Sequence, residues 1–137
     1  MENELVSYEL SSTLKEMGFN HPCFGYYDCE RDFKFLPNKT KFLECEIARP
    51  TFSQAFRWFR EEYDLRVRNY VHVNMSGGVS EYFLIFKFID NTNETICEVG
   101  ALTYEKAEIA CLKKLIEIVK KKAEIACLKT LIEIFKK

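Results

Sequence analysis

The sequence predicts an α+β fold: an antiparallel β-sheet of about four to six strands with helices packed on it, and a long C-terminal helix. Three observations predict it. The middle of the chain carries period-two runs of β-branched and aromatic residues. A capped amphipathic helix precedes them, and the end of the chain is a 16-residue amphipathic segment written twice in tandem. With 137 residues, 47% apolar and 15% aromatic, the chain is long and apolar enough to build one core, and intrinsic disorder is excluded. The division expected is a single α+β domain over residues 1–121, with the second copy of the helix, residues 122–137, as an extension.

The elements follow in order. Leu5, Leu10, Leu14 and Met17 share roughly one face of a helix over residues 2–17, and Gly18 stands where a left-handed C-cap belongs. Phe19-Asn20-His21-Pro22 reads as a turn. The aromatic runs Cys23–Asp28 and Phe33–Leu36 read as a hairpin, and the partial alternation of Lys41–Ile47 suggests a further strand. After Pro50, Thr51-Phe52-Ser53-Gln54 matches the S/T-x-x-E/Q capping box and opens a second helix. Its core face is Phe52, Ala55, Phe56, Phe59 and Tyr63. Trp58 falls beside that face, and Arg57, Arg60, Glu61 and Glu62 look outward.

From Val67 to Met75 the period changes to two, with Val67, Val71, Val73 and Met75 on one side and Arg66, Arg68, Tyr70, His72 and Asn74 on the other. That pattern predicts a half-buried strand. Ser76-Gly77-Gly78 is the turn after it, and Val79–Ile89, apolar on both faces, predicts a central or doubly covered strand. Asp90-Asn91-Thr92-Asn93 is a second turn, followed by a shorter strand over Thr95–Val99.

The last element starts at Thr103, a good N-cap. Residues 106–121 and 122–137 agree at 14 of 16 positions, differing only at Lys114 against Thr130 and at Val119 against Phe135. Such identity requires a copying event. No Gly or Pro separates the copies, so one continuous helix of about 33 residues, roughly 50 Å long, is favoured. At about 100° per residue, a 16-residue repeat turns the second apolar stripe about 160° away from the first. If Leu112, Leu115, Ile116 and Val119 face the core, Leu128, Leu131, Ile132 and Phe135 point away from it. Three arrangements compete. Copy two packs on another subunit, most simply in a dimer; or the helix breaks near residues 120–122 and folds back; or copy two takes the core position.

Charge and motifs narrow the function. The net charge is −1, split between an acidic body (eleven basic against sixteen acidic residues up to Leu102) and a basic tail (nine Lys against five Glu). The overall field is wrong for bulk nucleic-acid binding. The acidic start Met1-Glu2-Asn3-Glu4 is unlike a secretory leader and no run reaches the length of a membrane span, so a cytoplasmic, reducing location is expected. The six cysteines hold no C-x-x-C pair and the two histidines lie far apart, so no metal site is expected and buried free thiols are the plain reading for most of them. No nucleophile elbow, metalloprotease motif or phosphate loop is present. The chain reads as a non-enzyme with no catalytic residues and no cofactor. His21 beside Cys23 reads as turn chemistry.

Three binding readings remain. The first is self-association, or capture of a host protein, through Leu128, Leu131, Ile132 and Phe135. The second is an anion, nucleotide or single-strand platform formed by Arg66, Arg68, Tyr70 and His72, with Lys87 alongside, because cations fix phosphates and aromatics stack bases. A solvated sheet face is the simpler account of those residues. The third is a membrane-surface helix, which the interspersed glutamates weigh against.

Residues 50–61, Pro50-Thr51-Phe52-Ser53-Gln54-Ala55-Phe56-Arg57-Trp58-Phe59-Arg60-Glu61, carry a resemblance, as do residues 103–116 and the opening Leu14-Lys15-Glu16-Met17-Gly18-Phe19. Together they resemble short uncharacterised proteins of gut Bacteroidales and their phages. The likeness covers most of residues 5–120 and rests on a capping box and helix faces. Such proteins end after one copy of the last helix, so the second copy departs from the pattern. The resemblance implies a small accessory or counter-defence protein that binds a host protein or a nucleotide signal.

Overall fold

Ser7 opens the first helix, α1 (Tyr8–Glu16), by accepting the Leu10 N–H on its hydroxyl. Gly18, at φ +98°, closes it in a Schellman turn: the Phe19 N–H donates to the Leu14 carbonyl at 2.9 Å and the Gly18 N–H to Lys15 at 3.0 Å. The computed structural model describes residues 4–19, 21–37, 39 and 41–136. Met1, Glu2 and Asn3 of the predicted acidic start and first helix, Asn20 of the predicted turn and Lys137 of the second copy lie outside the described residues. The helix begins later than the apolar spacing suggests because Leu5 and Val6 are drawn into extended pairing. Leu5 bridges Thr51, and the Val6 N–H donates to the Pro50 carbonyl at 3.0 Å.

The predicted hairpin is β1 (Gly25–Tyr27) with β2 (Phe33–Phe35), and β3 (Ile47–Arg49) adds to the other side of β1 in an antiparallel sheet of order β2-β1-β3. β3 begins where the strand proposed over Lys41–Ile47 ends. Residues 43–46 form a turn instead, with the Glu46 carboxylate accepting the Leu43 N–H at 2.8 Å and Cys45 joined to Cys29 in a disulfide, their Cα atoms 4.9 Å apart. That bond corrects the expectation of mostly free thiols at two of the six positions. Cys23, Cys97, Cys111 and Cys127 are free.

α2 (Phe52–Tyr63) carries the predicted capping box in both directions: the Gln54 N–H donates to Thr51 Oγ1, and the Thr51 N–H to Gln54 Oε1. Phe52, Ala55, Trp58 and Phe59 are buried, so Trp58 sits deeper than Phe56 and Tyr63, which are half-buried. Trp58 is held edge-on by Phe19, Phe59 and Tyr63.

A second antiparallel sheet, order β4-β5-β6, follows: β4 (Arg66–Val73), β5 (Val79–Ile89) and β6 (Thr92–Ala101). β5 is central, as its two-sided apolar pattern predicts. β6 is longer than the expected Thr95–Val99 because the turn is only Asp90-Asn91, both at positive φ (50° and 64°), a two-residue type I′ connection that lets pairing start at Thr92. The half-burial predicted for β4 holds only at its start. Val67 is half-buried, while Val71, Val73 and Met75 are exposed, since the far end of the β4–β5 hairpin extends past the core.

The core joins both sheets to all three helices. Val6, Leu14, Phe59, Leu65, Ile85, Cys111, Leu112 and Leu115 are fully enclosed within it. α3 (Tyr104–Lys136) is a single helix of 33 residues, packed on β5 and β6.

Candidate functional site

The site follows from the phase of α3. The helix runs back along β6: Tyr104 lies against Phe83 with ring centroids 5.7 Å apart, Lys114 stands beside Cys97, and Lys122 meets Lys87 near the β5–β6 turn. The Lys87 ammonium, donating to the Lys122 amine, is the first cause that pulls Lys122 below the usual lysine range, with a smaller contribution from desolvation. Copy one therefore spends its apolar face on the sheet. Leu112, Leu115 and Ile116 are buried and Val119 half-buried.

Copy two runs on past the sheet. Described residues 122–136 are all exposed, and the stripe residues Leu128, Leu131, Ile132 and Phe135 are between 45% and 85% exposed. Ile125 and Ile134, which the sequence reading did not single out, are exposed at 52% and 60%. The side of copy two that continues the core-facing direction of copy one holds Lys122, Ala123, Ala126, Thr130 and Glu133, small or polar residues with nothing to bury. No kink separates the copies. Glu117, held below the usual carboxylate range by hydrogen bonds from Lys121 first and then Lys114, at 3.1 and 3.4 Å, braces the last turns of copy one up to the junction.

The proposed anion platform is rearranged. Arg66, Arg68, Tyr70 and His72 share one face of β4, opposite Phe86, Leu84, Tyr82 and Ser80 of β5. Lys87 pairs with Glu94 and projects to the other face, the one that Ile85 buries under α3, so it is not part of the platform. The aromatics are already engaged. Tyr70 stacks on Tyr82 at 5.3 Å and 14°, and Gly100 leaves the space for the Tyr82 ring, which a Cβ there would meet at 2.4 Å. The Tyr70 hydroxyl donates to the Glu98 carboxylate, which pushes its pKa up to about 12. Glu98 thus brings negative charge onto the same face.

A different cation cluster lies at the other end of the strand. Asp64 caps α2 in the left-handed conformation (φ 55°), and this reversal sets Arg66 beside the end of α2. Arg57, Arg60 and Arg66 line a cleft of about 460 Å³ with Phe56, Phe88 and Ser53. The Arg66 guanidinium lies 4.5 Å over the Phe88 ring and 3.4 Å from Asp64; the Arg57 Nε–H donates to Glu61 at 2.8 Å. Sequence spacing assigned Arg57 and Arg60 to a solvated helix face, and only the turn at Asp64 brings Arg66 to them.

His21 and Cys23 do not form a reactive pair. His21 Nε2 is 3.7 Å from Glu62, whereas the Cys23 thiol donates to the Gly25 carbonyl at 3.1 Å and is pushed up to about 11 by burial. Among the described residues, no group of three or more His, Cys, Asp or Glu is placed to hold a metal ion, and no helix is long and apolar enough to cross a membrane. No protein-family model matches the chain, and no curated protein or solved structure is detectably similar to it.

Proposed function

We propose that this chain is a non-catalytic assembly protein that associates with a second copy of itself through copy two of α3. The observation that carries the reading is the stripe of Leu128, Leu131, Ile132 and Phe135, held in water on a continuous helix that its own domain does not cover. Each such side chain gains about 1.5–3 kcal/mol when fully buried, and because copy one already anchors the helix, little nucleation cost opposes association. Light scattering tests it. The parent chain is a dimer, and Leu128→Asp with Ile132→Asp is a monomer of unchanged fold by circular dichroism. A monomeric parent ends the reading. If that monomer instead binds a host protein or floats with anionic liposomes, the stripe serves a heterologous protein or a membrane surface.

The accessory, phage-type role implied by the resemblance is part of the same proposal, as is a cytoplasmic location, where the Cys29–Cys45 pair would stand as thiols.

A second reading, anion binding, is supported by the arginine cleft rather than by the Tyr70–His72 end of the strand. Three guanidiniums face two flanking carboxylates, Glu61 and Asp64, beside the apolar walls of Phe56 and Phe88. Pyrophosphate and a single-stranded oligonucleotide are the probes. Binding falls with salt and is lost in Arg60→Glu with Arg66→Glu, while Arg68→Glu weakens it less. No binding by the parent chain removes this reading.

A further inference from the structure

Resting on the self-association reading, we infer that copy two pairs with its counterpart as a parallel two-stranded coiled coil, with both globular domains at the same end. The exposed residues Ile125, Leu128, Ile132 and Phe135 are spaced three, four and three apart, a two-heptad seam with Ile at both a positions and Leu and Phe at the d positions. Isoleucine at a with leucine at d is the combination that favours two parallel strands. The flanks then decide the direction. In this register Glu124 occupies a g position, and Lys122, Lys129 and Lys136 occupy successive e positions.

In a parallel pair, g of one helix meets the following e of its partner, so Glu124 faces Lys129 of the other copy, twice by symmetry. An antiparallel pair brings e against e and g against g. Lysines would then meet lysines along one flank, while on the other Leu131 would face Leu131 and Glu124 would have no lysine opposite it. Parallel pairing is therefore attractive where antiparallel pairing is repulsive. The phase of α3 also makes room for it. The core-facing stripe of copy one is about 160° from the seam of copy two, so the two domains hang on opposite outer sides of the pair.

The test reads direction independently of association. Sedimentation equilibrium at low salt is run on the parent, on Lys129→Glu and on Glu124→Lys with Lys129→Glu. In the parallel arrangement Lys129→Glu sets like charges opposite each other and loosens the dimer by about three- to tenfold, and the double exchange restores it. An antiparallel dimer overturns the inference by a different pattern: there residue 129 faces residue 129 of the other copy, so Lys129→Glu exchanges one like-charge contact for another, affinity stays nearly unchanged, and the second exchange at Glu124 restores nothing. Thiol trapping gives a second readout in a Cys127→Ser background. The Ile125→Cys thiols share one layer of a parallel pair and form a covalent dimer. In an antiparallel pair they lie about 15 Å apart, beyond disulfide reach, and only a mixture of Ile125→Cys with Phe135→Cys crosslinks, which would overturn the inference. A parent chain that stays monomeric fails the self-association reading itself, a result distinct from a dimer of the wrong direction.

Discussion

Leu112 and Leu128 occupy the same position of the repeat and have opposite fates, one enclosed by the core and one in water. Truncating them measures that difference. Leu112→Ala loses about 2–5 kcal/mol of stability, whereas Leu128→Ala, measured at a dilution where the chain is monomeric, changes unfolding by about 0.5 kcal/mol or less and weakens only association. Denaturant unfolding of both variants checks it. Glu108 and Glu124 make the same contrast in charge. Burial, as the largest cause, raises the Glu108 carboxyl above its usual range, and the Tyr104 hydroxyl that donates to it offsets part of the rise. A folded-state pKa above the unfolded one means that stability is greatest below the unfolded value and falls as pH rises through the folded one. Glu108→Gln therefore raises the midpoint of thermal unfolding at neutral pH, and its advantage disappears under acidic conditions. Thermal scans across pH test this, and an equal midpoint at neutral pH contradicts it. Periodicity alone could place Leu112 on an apolar face. It could not say that Glu108 is buried beside that face, because burial of a flanking carboxylate depends on what packs over it.

At the scale of elements, signals that are local in the chain were legible in the sequence. The capping box at Thr51, the glycine after α1 and the uninterrupted helix formers of α3 each specify backbone hydrogen bonds within a few residues. Thr51→Ala removes one cap and costs about 1 kcal/mol, read from the shift in denaturation midpoint. Signals that depend on distant partners were not legible. The extended pairing of Leu5 and Val6 is set by Thr51 and Pro50. The strand expected over Lys41–Ile47 gives way to a turn and a disulfide whose cysteines are 16 residues apart with no telling motif. That bond closes a loop worth about 3 kcal/mol in chain entropy, so reduction lowers the unfolding free energy by up to that amount. Unchanged stability in reductant would show that the bond contributes nothing. Likewise the cleft of Arg57, Arg60 and Arg66 depends on one left-handed residue, Asp64, that reverses the chain, and helical spacing by itself pointed those side chains at solvent.

For the whole molecule, the decisive quantity is a mismatch of lengths and angles. Ten residues of β6 span about 33 Å and a 33-residue helix about 50 Å, so α3 overruns the sheet it packs on. The overrun starts near Lys122, where the second copy starts, and the repeat length turns its apolar stripe away from the domain. This much could be computed from the sequence, because helix pitch is nearly independent of context. The direction of pairing could not be argued until the exposure of Ile125 defined the seam and its flanking charges. Sedimentation velocity on the full chain and on a chain ending at Lys121 tests the central claim most directly. The account predicts a concentration-dependent dimer for the full chain and a folded monomer for the shorter one; the same oligomeric state for both, as two monomers or two dimers, would contradict it.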